Sequence, residues 1–89
     1  MNEKEFRSRA ISNGFSDFQQ KEYPPDTNPP LHSHEFSVTL LVTRGEFSLQ
    51  FPDTKSTYSV GDYCDLPANT IHAERAGENG AGVILARKI

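Results

Sequence analysis

The 89-residue chain is long enough for a single domain, 1–89, and its 35% hydrophobic and 10% aromatic residues are typical of a folded domain with generous loops. The formal net charge is −3 and no cluster of Lys and Arg occurs, which argues against a nucleic-acid partner. No stretch approaches the apolar length of a membrane span or a secretory signal, and the lone cysteine, Cys64, excludes an intrachain disulfide. We therefore expect a cytoplasmic protein without a membrane partner.

The N-terminal third of the chain predicts a short helix, an edge strand and a stiff loop. Residues 3–13 begin with acids and end with bases, and Gly14 is suited to end the helix. Residues 15–23 are patterned as an edge strand. Four prolines fall within residues 24–30, which excludes a helix or a central strand there. This proline loop restricts the freedom of the chain just before its first histidine.

Residues 31–45 alternate apolar and polar side chains and carry two of the three histidines. His32 and His34 are spaced i and i+2, so in a strand both side chains point to the same face. That face continues with the apolar residues Phe36, Val38, Leu40 and Val42. The opposite face is mostly polar, which is typical of a half-buried antiparallel strand. The pattern predicts two imidazoles at the mouth of an apolar core.

The rest of the chain predicts short strands separated by turns. Gly, Pro, Asn and Asp concentrate at the expected turns, which are residues 43–46, 52–55, 67–70 and 77–80. The strands expected between them are residues 46–51, 56–60, 63–66, 72–76 and 81–89. Six or more short strands at spacings of about ten residues predict an all-β sandwich or barrel.

The third histidine, His72, follows a predicted turn and begins another strand. Three neutral imidazoles can hold a transition metal on one face and leave the opposite positions open for water or substrate. Spacing alone does not bring His72 to the other two histidines. The alternative is a set of hydrogen-bonded pocket histidines without a metal.

Two segments of the chain resemble the sequence motifs of the cupin family. Residues 32–45 are similar to the first motif, H-x-H followed by a glycine at the next hairpin. Residues 61–72 are similar to the second motif, G-x5-P-x-G-x2-H, with matching spacing from Gly61 to Pro67 and from Pro67 to His72. Together the motifs and the segment between them span residues 32–72, nearly half of the chain.

This resemblance implies an antiparallel β-barrel or sandwich of the cupin jelly-roll kind. It also implies that His32, His34 and His72 point inward to one divalent transition metal, which would be iron, zinc, manganese or nickel. Imidazole suits several metals, so the sequence does not choose among them. Small members of the family commonly pair through their sheets, so a homodimer is expected.

The chain departs from the cupin pattern at two positions. Asn69 stands where the family usually has glycine, and asparagine tolerates the left-handed backbone that the turn requires. Val38 stands where the family has an acidic metal ligand, so a three-histidine site is expected. Glu35 faces away by strand parity. Glu74 shares parity with His72 and is the best remaining carboxylate nearby.

Two functions stay open at this point. The first is a metal-dependent dioxygenase that acts on a small organic molecule, and the second is a non-catalytic module that binds or senses a small ligand. Cys64 could supply thiol chemistry or simply pack in the core. The aromatic residues that could line a substrate pocket or form plain core are Phe36, Phe47 and Phe51.

Overall fold

The computed structural model describes residues 1–25 and 29–89, and this part of the chain contains one helix and five strands. The elements in chain order are α1 (Glu3–Ser12), β1 (Ser16–Tyr23), β2 (Ser37–Gln50), β3 (Lys55–Ser59), β4 (Tyr63–Leu66) and β5 (Ala73–Lys88). The centre of the proline loop, residues 26–28, lies outside the described residues. The helix of the described residues is not long and apolar enough to cross a membrane.

The five strands form one antiparallel sheet in the order β1-β5-β2-β3, and β4 pairs with β2 as well. The two long strands β2 and β5 form its centre. The first half of β2 pairs with β4 and its second half pairs with β3. This arrangement and the short N-terminal helix confirm the predicted antiparallel all-β class.

The N-terminal helix and the edge strand form where the sequence predicted them. The Asn2 side chain accepts a hydrogen bond from the Glu5 backbone N–H and so caps the first turn of α1. Gly14 follows the helix with a φ of 86°, a conformation that suits glycine. The edge strand β1 pairs on one side with β5.

Two of the predicted turns are wrong, because both segments lie inside long strands. Residues 43–46 belong to β2 and residues 77–80 belong to β5. The two segments lie opposite each other, where the β2–β5 register shifts. Gly45 has a φ of 70°, and a Cβ there would collide with the carbonyl oxygen of Gly80. These glycines therefore form bulges in a continuing ladder, and five strands replace the predicted six or more.

The predicted histidine strand is correct in parity but not in extent. Regular pairing of β2 begins at Ser37, so His32 and His34 lie before the strand. His32 instead forms a single antiparallel bridge with His72. The side chains of His32 and His34 still lie side by side, with ring centroids 5.3 Å apart.

The two faces of the central strands are both buried, against different partners. One face packs a large apolar cluster that includes Val38, Leu40 and Phe47, and we call it the cavity face because a cavity adjoins this cluster. The other, the helix-covered face, packs Leu41 and Ile84 against the α1 residue Phe6. The expectation of a half-buried strand is therefore wrong near α1, because the helix also covers this second, mostly polar face of residues 31–45.

Candidate metal centre

Four potential metal ligands converge at one end of the cavity face. One ligand atom from each of the four residues lies within 4.8 Å of the others, and these residues are His32, His34, His72 and Glu74. The side chain of His72 is fully buried, whereas that of His32 is 40% exposed. The cluster therefore runs from the protein interior to solvent, as a site that admits small molecules must.

Backbone hydrogen bonds bring the two histidine segments together. His32 and His72 exchange N–H···O bonds of 2.8 Å in both directions. The Asn69 N–H donates to the His34 carbonyl oxygen at 2.6 Å. Asn69 has a φ of 64°, so the left-handed turn expected at this position is present despite the missing glycine. The predicted meeting of all three histidines is confirmed.

Backbone carbonyl groups fix the orientation of two imidazole rings. The Nδ1 atom of His72 lies 2.7 Å from the Thr70 carbonyl oxygen, and Nδ1 of His32 lies 3.2 Å from the Pro30 carbonyl oxygen. A carbonyl oxygen only accepts hydrogen bonds, so each Nδ1 carries the proton. In a neutral ring this leaves the lone pair on Nε2, which faces the cluster. Metal-binding histidines in proteins are oriented in this way.

Glu74 completes the cluster with a carboxylate. Its oxygens lie 3.0 Å from Nε2 of His32, 3.3 Å from Nε2 of His72 and 4.0 Å from Nε2 of His34. Unprotonated Nε2 atoms and carboxylate oxygens repel each other at such distances unless a proton or a cation lies between them. Three imidazole nitrogens and one carboxylate therefore fit a divalent transition metal. Glu74, which the sequence offers as the best carboxylate nearby, therefore lies with the three predicted histidines.

The cluster shifts the pKa of two of its members. Burial and the neighbouring His72 lower the pKa of His34, which favours its neutral form. Burial alone would raise the pKa of Glu74, but electrostatic interactions with His32 and His72 and a backbone hydrogen bond outweigh it and lower that pKa. Neutral imidazole and ionised carboxylate are the forms that bind metal.

An apolar cavity of about 140 Å³ adjoins the cluster, and both His34 and Glu74 form part of its wall. Its apolar lining consists of Phe36, Val38, Leu40, Leu49, Leu66 and Leu85. Val38 is 7% exposed and faces the cavity, as strand parity predicted.

The aromatic candidates divide between wall and core. The ring of Phe36 stacks on the ring of His34 with centroids 4.7 Å apart and an angle of 9° between the ring planes. Phe47 is fully buried within the apolar cluster, and Phe51 packs against that cluster. Of the three, Phe36 therefore contacts the site and Phe47 serves as plain core.

Cys64 belongs to the core rather than to the chemistry of the site. Its side chain is buried in the apolar cluster of the cavity face. Burial, followed by the nearby charge of Asp65, raises the pKa of the Cys64 thiol to about 12. The thiol therefore stays protonated at neutral pH, which makes it a poor nucleophile.

Sequence reasoning missed one wall of the cavity. Gln19, Lys21 and Tyr23 of β1 line it, together with Arg87 of β5. The available signal was the i, i+2 spacing of the three β1 residues, which places them on one face of the strand. That signal was missed because the predicted edge strand was weakly patterned.

Comparison with known proteins supports the fold. No family model matches the sequence, and no curated protein sequence matches it either. Among solved structures, a cupin-2 domain containing protein from Shewanella frigidimarina superposes with a TM-score of 0.69 at 17% identity, over 78% of this chain and 66% of that chain. A cupin superfamily protein from Desulfitobacterium hafniense gives a TM-score of 0.69 at 21% identity, over 81% of this chain and 65% of that chain.

A third structure, described as a predicted oxalate decarboxylase from Thermotoga maritima, gives a TM-score of 0.69 at 18% identity, over 92% of this chain and 73% of that chain. The chain spans about two thirds of the length of the first two structures. At these identities the likeness establishes the fold alone. The chain has a cupin fold, as its two motifs predicted, with a histidine and glutamate cluster that is compatible with metal binding.

Proposed function

We propose that this chain is a metal-dependent dioxygenase of a small organic molecule, with one divalent metal held by His32, His34, His72 and Glu74. The observation that carries the proposal is that the ligand cluster and the apolar cavity share a wall, since His34 and Glu74 belong to both. A molecule in the cavity would therefore lie against the metal. Iron, zinc, manganese and nickel all accept these donors, and a redox-active metal is required for this activity.

The metal would supply the centre at which dioxygen is reduced. In a dioxygenation both oxygen atoms enter the product and the substrate supplies all the electrons, so no separate reductant is needed. The protein contributes a dry wall that keeps water from the reacting molecule. Phe36, stacked on His34, restricts the rotation of that ring and shields one of its faces.

A second candidate function is a non-catalytic module that binds or senses a small ligand. It is favoured by the composition of the cavity wall. Within the described residues, that wall holds no serine, threonine or cysteine that could act as a nucleophile. The buried Cys64 thiol, with its raised pKa, does not supply one either.

Metal analysis followed by oxygen-consumption screening distinguishes the two functions. The purified protein would be analysed for metal, loaded with iron(II), and tested with small thiols, diketones and phenols. Oxygen uptake that needs both metal and substrate, and that disappears in His34→Ala, supports the dioxygenase. Substrate binding to the metal-loaded protein without oxygen uptake supports the binding module instead. A protein that takes up no metal would contradict the dioxygenase.

We also propose that the chain forms a homodimer, and its cytoplasmic location stays a prediction. The outer strands β1 and β3 are edges of the sheet, and unpaired edges favour association. A small domain also buries too little surface for a comfortable margin of stability. Light scattering at micromolar concentration should give twice the 9.9 kDa chain mass, and a monomer mass would contradict the proposal.

A further inference from the structure

One wall of the cavity differs in chemistry from the others. The alternating β1 residues Gln19, Lys21 and Tyr23 all line the cavity. Phe18 faces the opposite side and contacts Phe6 of α1 with ring centroids 6.4 Å apart. Gln19 and Lys21 are exposed to solvent, so this edge strand forms a polar, open side of the cavity.

The second cation on this wall is already neutralised. The Arg87 guanidinium donates to the Asp17 carboxylate at 2.6 Å, and it lies 5.1 Å from the centroid of the Phe36 ring. The Gln19 side-chain amide donates to the same Asp17 carboxylate at 3.2 Å. Asp17 therefore offsets the charge of Arg87 and occupies the Gln19 donor.

Lys21 has no such partner. Its Nζ lies 5.2 Å from the Tyr23 ring centroid, and no carboxylate within residues 1–25 and 29–89 forms an ion pair with it. Lys21 lines the same cavity as His34 and Glu74, so its ammonium and the ligand cluster face one space. An ammonium without a counter-ion beside an apolar cavity favours an anion there.

The cavity itself sets the size of the molecule that fits. Its volume is about 140 Å³, and its floor is built from leucine, valine and phenylalanine side chains. An engineered apolar cavity of about 150 Å³ in another protein binds benzene. The body of the bound molecule is therefore apolar and about as large as one benzene ring.

We propose that the cavity binds a small monocarboxylate whose apolar body is the size of a benzene ring, and that Lys21 binds its carboxylate. This inference rests on the proposed function, because it names the substrate or ligand class of the same metal centre. Glu74 also lines the cavity and would repel an anion when no cation is bound to the cluster. A metal ion there would offset this charge, so metal should strengthen carboxylate binding.

Benzoate and its neutral analogue benzamide test the proposal. Zinc-loaded protein, with its zinc content measured on the same sample, would be titrated with each compound and followed by calorimetry or ligand-observed NMR. Benzoate should bind at least about fivefold more tightly than benzamide, the scale of one solvent-accessible ion pair. The larger 2-naphthoate should bind more weakly than benzoate because its second ring exceeds the cavity.

Three variants separate the role of Lys21 from that of net charge. Lys21→Met should weaken benzoate binding about fivefold without changing benzamide binding. Lys21→Arg should retain most of the benzoate affinity because it keeps the charge. Lys4→Met removes one equal charge from the exposed surface of α1 and should leave benzoate binding unchanged.

The outcomes also separate this inference from the proposed function. If Lys21→Met binds benzoate as wild type does, the carboxylate does not meet Lys21 and the inference is wrong. Equal binding of benzamide or of 2-naphthoate would likewise overturn it. One bound zinc per chain without benzoate binding contradicts the inference and leaves the metal site intact. Lys21-dependent benzoate binding without zinc uptake would contradict the proposed function and support the carboxylate site.

Discussion

The two faces of the central strands are built from the same alternation of apolar residues but serve different ends. On the helix-covered face, Leu41 and Ile84 pack against Phe6, which is completely buried. On the cavity face, Val38 and Leu40 border a space of about 140 Å³. The first face is closed by a helix, whereas the second is left incomplete beside the histidine and glutamate cluster.

This difference shows how a small domain can combine stability with a site. A cavity forfeits the packing contacts of the side chains that line it, so the cavity face contributes less stability for the same apolar residues. The cavity face nevertheless contains the larger buried apolar cluster, so the cost of the cavity is spread over more side chains.

The largest expected effect comes from truncating the closed face. Phe6→Ala should lower the free energy of unfolding by about 3 to 5 kcal/mol, because it removes a fully buried ring between helix and sheet. The matched variant Phe36→Ala removes a partly buried ring beside the cavity and should cost about half as much or less. Urea unfolding of the metal-free proteins measures both. Equal losses would mean that the two faces do not differ in packing.

The next effect comes from adding a charge to the open face. Val38→Glu places a second carboxylate in the cavity wall beside Glu74 and His34, and should destabilise the metal-free protein by about 2 kcal/mol or more. The same carboxylate can bind the metal, so saturating metal should stabilise this variant more than it stabilises wild type. Thermal melts of both proteins with and without zinc measure the two shifts. A metal-induced shift no larger than that of wild type would place Val38 away from the metal.

Much of this architecture could be predicted from local sequence signals. The helix at residues 3–12, the edge strand β1 and the strand β4 follow from capping residues and alternation within each segment. The parity of residues 32–42 was sufficient to place Val38 toward the site. These features depend on neighbours in sequence, which a single chain displays directly.

The errors arose where the structure depends on a partner strand. Gly45 and Gly80 look like turn residues when each segment is considered alone. In the structure they lie close together at bulges of β2 and β5, and the pairing between these two strands continues beyond them. The sequence favours the histidines over Glu74 as metal ligands, because the cupin motif has its acidic ligand at the position of Val38. The approach of Glu74 to His32 depends on the bridge between His32 and His72, a long-range contact that spacing alone does not show.

Alkaline pH should lower the free energy of unfolding, because Cys64 is buried in the apolar cluster of the cavity face. Burial raises the pKa of this thiol to about 12. The unfolded chain loses the proton from about pH 8.5 upward while the folded chain keeps it, so stability falls as pH rises through that window. Between pH 8 and pH 10, wild type should lose roughly 1 to 2 kcal/mol more than Cys64→Ser, whose hydroxyl does not titrate. Equal losses in urea unfolding at the two pH values would show that the thiol is not protected.

Neutralising the cluster carboxylate gives the smallest of these effects. Glu74→Gln should weaken zinc binding about tenfold, or about 1.4 kcal/mol, because it replaces a charged ligand beside three imidazoles with a neutral amide. Glu78→Gln changes an exposed carboxylate of the same strand β5 and is the matched control. Competition titrations with a zinc chelator measure both affinities. If the two variants bind zinc equally well, Glu74 is not part of the metal site.

The most direct test of the account is the metal content of wild type and His34→Ala, measured by elemental analysis of proteins purified in parallel. His34 belongs to both the ligand cluster and the cavity wall but to neither apolar cluster, so its loss should remove the metal while the chain stays folded. Wild type should carry close to one transition metal per chain and His34→Ala little or none, with Glu78→Gln resembling wild type. Equal metal content in wild type and His34→Ala would contradict the proposed metal site.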